Sequence, residues 1–231
     1  MDVVFQVPPP VTVPTADGRA FPVHRIYCVG RNYVDHAIEM GHTGREPPFF
    51  FLKPADTVLP VAAGTVGEMP YPTLTSNLHF EAELVVALSK GGRDIAVEDA
   101  VQHIFGYACG LDMTRRDLQN DMKKQGRPWS IGKAFEWSAP IGPIHPLSST
   151  GELLQGAIAL QVNGAARQQA DISQLIWNVA ETISVLSQAW TLQAGDLIYT
   201  GTPAGVGAVV PGDLMTMQID GLGELAVRVT A

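Results

Sequence analysis

Two glutamates one residue apart, Glu81 and Glu83 in HFEAELVVAL at residues 79–88, are the pair in this sequence best placed to do chemistry. The segment predicts a strand. Alternate side chains of a strand share a face, so both carboxylates point one way, with Val85 and Ala87 continuing that face. Carboxylates set side by side among apolar neighbours repel each other and lose hydration, a cost removed by a proton or cation between them. A solvent-facing edge is the common setting for an isolated Glu-x-Glu. Asp112, however, ends a second apolar run, IFGYACGLDM, just where the chain turns into a helix. There it can serve as an N-cap or as a third ligand. Three hard oxygen donors, with no Cys or His cluster at zinc spacing, suit Mg²⁺ or Mn²⁺.

Further candidates surround that triad. In TRRDLQNDMKKQG, Arg116 and Gln119 are three apart on one helical face and can present donors beside a metal, or can form a solvated surface. Arg115, Asp117, Asn120, Asp121 and Lys124 fit the outer face. In YVDHAIEM, residues 33–40, a helix makes His36 and Glu39 neighbours, so the carboxylate can orient the imidazole as a general base for water. The same spacing is common on exposed helices. Lys133 in SIGKAF either snorkels or pairs with an anion. TGTPAGVG, residues 200–207, can bring backbone amides and the Thr202 hydroxyl close to an anion, or can be a plain turn. It lacks the Gly-Lys-Ser/Thr ending of a Walker loop, and no Gly-x-Ser-x-Gly elbow occurs. His24, His42, His79, His103 and His145 have no ligand spacing and read as structural.

The elements that must position these groups are turn-rich. With 23 Gly and 17 Pro in 231 residues, short strands are favoured over a helix bundle. RIYCVG and FFFLKP read as buried strands, residues 97–103 as a short helix, 131–167 as a β-rich section, and 172–189 as one amphipathic helix. Residues 1–24, rich in Pro and Val, predict an extended arm or short edge strands before a single domain over 25–231. The net charge of −8 and the absence of a basic run exclude a typical nucleic-acid binder. No apolar stretch of membrane-spanning length occurs, MDVVFQVPPP is unlike a signal peptide, and Cys28 and Cys109 read as reduced core residues. A soluble cytoplasmic protein with no nucleic acid or membrane partner is the expectation.

Taken in order, CVGRNYVDHAIEM, FLKP, NLHFEAEL, GLDMTRRDLQ, the SIGKAF block and GDLIYTGTPAGVG resemble the fumarylacetoacetate hydrolase family, especially its short acylpyruvase members. The resemblance implies an α+β, mainly β, mixed β-sandwich roll with flanking short helices, assembled as a homodimer. It implies a divalent cation on Glu81, Glu83 and Asp112 and a water-activating pair at His36 and Glu39. Lys133 takes a catalytic role, and Arg116, Gln119 and Thr202 face the substrate. Gly132 stands where relatives often carry another small residue, with no evident consequence. The implied reaction is hydrolysis of a carbon–carbon bond in a 2,4-diketo acid. REPPFFFLKPAD, TRRDLQ and IWNVAE look most like the branch acting on fumarylpyruvate in bacterial aromatic catabolism. Oxaloacetate decarboxylation, isomerisation or decarboxylation of 2-hydroxy-diene-dioates, and silent α-keto acid binding are the alternatives.

Overall fold

The computed structural model describes residues 3–6, 8–34 and 45–231. At its centre the strand Ala82–Leu88 is buried along its whole length. It runs antiparallel to Ile104–Leu111 on one side and Leu197–Tyr199 on the other. Ile26–Gly30 and Phe49–Lys53 extend one flank, Ala139–Ile141 and Val58–Pro60 the other, and His145–Pro146 pairs with Ile104–Leu111 to complete an eight-stranded mixed sheet.

Apolar side chains leave both faces of these central strands, so both faces need cover. Leu84, Val86 and Leu88 share a core with Leu160, Met217 and Val227 of a second sheet. That sheet orders Ala165–Asp171, Ala157–Val162, Leu214–Ile219, Gly223–Thr230 and Val66–Pro70. Val85 and Ala87 face another core with Cys28, Ile141 and Tyr199, covered by Val13 and Phe21. The last two belong to a hairpin, Thr12–Pro14 with Ala20–Pro22, so the Pro-rich start is a pair of short strands laid on the core. The architecture is a mainly β sandwich roll with short flanking helices. Both cysteines are buried and free, and among the described residues no helix is long and apolar enough to cross a membrane.

Several expectations change in detail. The apolar period over residues 172–189 resolves into a 3₁₀ turn, Ile172–Gln174, and an α-helix, Val179–Ala189. Two capping boxes, Asp171 with Gln174 and Asn178 with Glu181, give each piece its own start and outweigh the continuous pattern. The short helix Val97–His103 is also 3₁₀. FFFLKP lies on the sheet edge, so its three phenylalanines are half-buried and Leu52 is exposed. The β-rich section contains helical turns at Ser130–Lys133 and Leu147–Thr150. The helix expected from Thr114 begins at Arg116, because Thr114–Arg115 pairs with Leu78–Phe80.

Asn32 ties the end of the Ile26–Gly30 strand to two other segments. Its amide donates to the carbonyls of Trp177 and Thr200 at 2.9 and 2.8 Å and accepts from Trp177 N–H at 2.8 Å. Asn32 is buried, so removing its side chain deletes three hydrogen bonds to backbone groups and leaves the Trp177 carbonyl only the Thr182 hydroxyl at 3.2 Å. Asn32→Ala is expected to lower stability by about 2–3 kcal/mol in urea denaturation, the range for a broken buried network. A change within about 0.5 kcal/mol, the span of a neutral surface substitution, would contradict this role.

Candidate metal centre

The acidic residues sit where a strand pair leaves one sheet for another. Ala82 pairs with Leu111 in the large sheet, whereas His79 pairs with Thr114 in a three-stranded sheet completed by Gly207–Val209. Between them the ladder opens. Ala82 N–H turns to Gln168 Oε1 at 2.9 Å and Met113 N–H to Ser138 O at 2.9 Å, while Asp112 N–H still reaches Glu81 O at 2.8 Å. The single strand expected over residues 79–88 is therefore broken at Glu81. Asp112 is not an N-cap; the helix Arg116–Lys124 starts after Arg115.

Carboxylate oxygens of Glu81, Glu83 and Asp112 approach within 4.8 Å of one another, and all three residues are buried. The protein compensates them unequally. Glu81 receives Arg116 Nη2 in a short ion pair and Lys133 Nζ at 2.8 Å. Asp112 Oδ2 receives Lys133 Nζ at 2.6 Å. Lys53 Nζ lies 2.8 Å from Asp112 Oδ1, yet its hydrogen bonds go to the carbonyls of Ser138 and Met113 at 2.8 and 3.2 Å. Asp112 Oδ1 thus stays buried without a hydrogen bond. Glu83 has no cationic side chain in salt-bridge contact among the described residues, and Oε2 accepts only from Gly201 N–H, at 2.8 Å. Burial, followed by the charges of Asp112 and Glu81, pushes the Glu83 carboxyl well above the ordinary carboxylate range. For Lys133 burial acts downward, but Asp112 and Glu81 outweigh it and raise the ammonium.

A buried carboxylate oxygen that faces Lys53 without a hydrogen bond, and a buried glutamate without a cation, are what a hard divalent ion corrects. The residues fit one. The pocket that they line has about 20 Å³ of free space, enough for roughly one water-sized occupant.

Arg116, Gln119, Lys133 and Thr202 line the same pocket. Arg116 Nη1 donates to Gln119 Oε1 at 2.5 Å, so the predicted face is buried. Gly132 has a consequence after all: a Cβ there would come within 2.8 Å of Gln119 N, so its missing side chain lets the Lys133 turn pack on this helix. Arg115, expected outside, is buried with its guanidinium 4.4 Å from the Phe135 ring centre, because it is the last residue of the short strand. Thr202 Oγ1 accepts from Gln168 Nε2 at 2.8 Å. The backbone amide at Gly201 does meet an anion, but that anion is Glu83.

His36 and Glu39 lie outside the described residues. Three supporting residues escaped the sequence reading. Lys53 carried a signal, a lysine closing an apolar strand in FLKP. His79, read as merely structural, accepts from Arg116 Nε through Nδ1 at 3.4 Å and contacts Asn77 Oδ1 through Nε2 at 3.0 Å. Burial and Arg116 lower its pKa to about 4, so the ring stays neutral and able to accept. Gln168 sat in a polar strand with nothing to mark it.

Residues 25–230 match the family described as Fumarylacetoacetate (FAA) hydrolase C-terminal. The chain belongs to the fumarylacetoacetate hydrolase family. It is 46% identical to a fumarylpyruvate hydrolase from Ralstonia sp over 184 residues, 80% of this chain and 93% of that protein. It is 39% identical to a mitochondrial oxaloacetate decarboxylase of Dictyostelium discoideum over 198 residues, 86% of this chain and 89% of that one. Its fold is similar to the crystal structure of fumarylpyruvate hydrolase from Pseudomonas aeruginosa in complex with Mn²⁺ and pyruvate. That match has a TM-score of 0.97 at 57% identity and covers 99% of each chain.

A carboxyl raised by folding binds its proton more tightly in the folded than in the unfolded chain. Stability of the metal-free protein therefore falls as pH climbs above the ordinary carboxylate pKa. Glu83→Gln should remove this fall, gaining on the native chain in Tm between pH 5 and pH 8. Mn²⁺ at about a hundred times its Kd should raise the native Tm by roughly 5–10 °C and leave the variant unmoved. Equal protection of both would contradict the assignment of Glu83.

Proposed function

We propose that this chain is a divalent-cation-dependent hydrolase that splits a carbon–carbon bond in an acylpyruvate, with fumarylpyruvate giving fumarate and pyruvate. The observation that carries this reading is the buried acidic triad, set in a fold superimposable on a fumarylpyruvate hydrolase that binds Mn²⁺ and pyruvate. Glu81, Glu83 and Asp112 would hold Mg²⁺ or Mn²⁺. When bound, the cation supplies Lewis acidity that draws charge from a carbonyl oxygen.

The chain's own groups do the rest. Arg116 and Gln119 offer donors to the pyruvoyl carboxylate, and the Thr202 hydroxyl adds a further polar group to the same pocket. His36, oriented by Glu39, takes a proton from water, which adds to the carbonyl remote from the pyruvoyl end. Collapse of the adduct breaks the carbon–carbon bond. Its electron pair stays with the three-carbon fragment as an enolate, whose charge Lys133 opposes. Protonation of that fragment gives pyruvate, and the acyl part leaves as a carboxylate.

Decarboxylation of oxaloacetate is the second reading, favoured by the identity to the Dictyostelium enzyme. The two differ in their need for an attacking water, and hence for His36. Homodimeric assembly, a cytoplasmic location and a role in aromatic catabolism complete the proposal. The free cysteines support a reducing compartment, and the family likeness supports the dimer.

Supplied with fumarylpyruvate and Mn²⁺, the protein should release pyruvate and fumarate in equal amounts, and chelation should stop it. His36→Ala should lose at least about a hundredfold in kcat, the lower range for a general base. Absence of turnover contradicts the reading. Oxaloacetate decarboxylation that survives His36→Ala at full rate would replace it with the second.

A further inference from the structure

We propose that a trough beside the metal pocket receives the acyl arm of the substrate, and that Arg127 selects an arm ending in a carboxylate. This rests on the acylpyruvate hydrolase reading above. A cavity of about 510 Å³ opens next to the pocket that holds the triad. Arg31, Phe51, Trp129 and Lys133 line both spaces, so the two adjoin, and the proposed path of the acyl arm runs from the inner one past these shared residues into the outer one.

The walls of that path are flat. Trp129 meets Phe49 edge-on with ring centres 5.3 Å apart and Phe51 at 5.9 Å. Rings in this arrangement offer faces and edges to a planar, conjugated chain and give it little to hydrogen-bond along its length. At the neck, Arg31 rests its guanidinium 5.2 Å from the Phe49 ring centre and holds a φ of +58°. A long side chain adopts that left-handed conformation at a cost, and such residues collect where a site fixes its own geometry.

Arg127 lines the outer cavity and not the inner pocket. It is exposed and has no carboxylate partner among the described residues. An exposed guanidinium fork on the wall of an aromatic-lined cavity matches a carboxylate in bidentate fashion. The inner pocket thus holds the donors for the pyruvoyl end, the rings and Arg31 lie between, and Arg127 belongs to the outer cavity alone. An acyl group derived from an unsaturated dicarboxylic acid has the complementary order. A short neutral acyl group ends before Arg127 and gains nothing from it.

The test compares kcat/KM for fumarylpyruvate and acetylpyruvate, both with Mn²⁺, in the native protein and in Arg127→Gln, Arg127→Glu and Arg127→Lys. In Arg127→Gln the fumarylpyruvate to acetylpyruvate ratio should fall by about tenfold, the loss of one charge-assisted hydrogen bond at a partly open site. The loss should appear chiefly in KM, deepen in Arg127→Glu and be partly rescued in Arg127→Lys. Native turnover of fumarylpyruvate with an unmoved ratio in both Arg127→Gln and Arg127→Glu overturns this inference alone. No native turnover of either acylpyruvate overturns it together with the hydrolase reading.

Discussion

Mutual repulsion among three buried carboxylates sets the terms for everything around them. Glu81, Glu83 and Asp112 bring oxygens within 4.8 Å of one another in a water-poor pocket, where like charges are poorly screened. Three cationic side chains answer them, and each comes from a different part of the chain. Lys53 closes an edge strand, Arg116 opens a helix and Lys133 ends a helical turn. Two of the acids are served and Glu83 is left with one backbone amide. The deficit is local, and a divalent ion is the species that fills it.

Backbone choices in the fold follow from holding that cluster. The central strand pair does not simply continue; it opens at Glu81 and Asp112, so that the acids project where two sheets part. Gln168 clamps the opening, its carbonyl on Ala82 N–H and its amide on Thr202 Oγ1 and Pro203 O. Gly201 supplies the amide to Glu83 from a φ of +101°, and a Cβ there would come within 2.7 Å of Asn32. That position admits little besides glycine. Stability and function thus share residues: the contacts that fasten the Thr200 loop to Asn32 also set the Glu83 hydrogen bond.

Much of this was legible beforehand. The strand character of residues 82–88 followed from residue types and order, which also offered Asp112 as a third ligand; the family resemblance gave the roll, joined Asp112 to the glutamates and placed Lys133 in the site. What was not legible arises from non-local geometry. An N-cap role stood open for Asp112 beside the ligand role, because local spacing cannot reveal that its N–H bonds to Glu81 O across the ladder. The apolar period over 172–189 ran through a break that capping chemistry imposes. Arg115 reads as a surface residue until the short strand pairing to Leu78 turns it inward. Lys53 and Gln168 matter through partners that are distant in sequence, which no window of the chain contains.

The most direct test of the account is anomalous diffraction at the manganese edge from crystals of the native protein soaked in Mn²⁺. One strong peak per chain is expected within coordination distance of Glu81, Glu83 and Asp112, with Glu83 among its ligands. A peak elsewhere, or none in the pocket at saturating Mn²⁺, would contradict it.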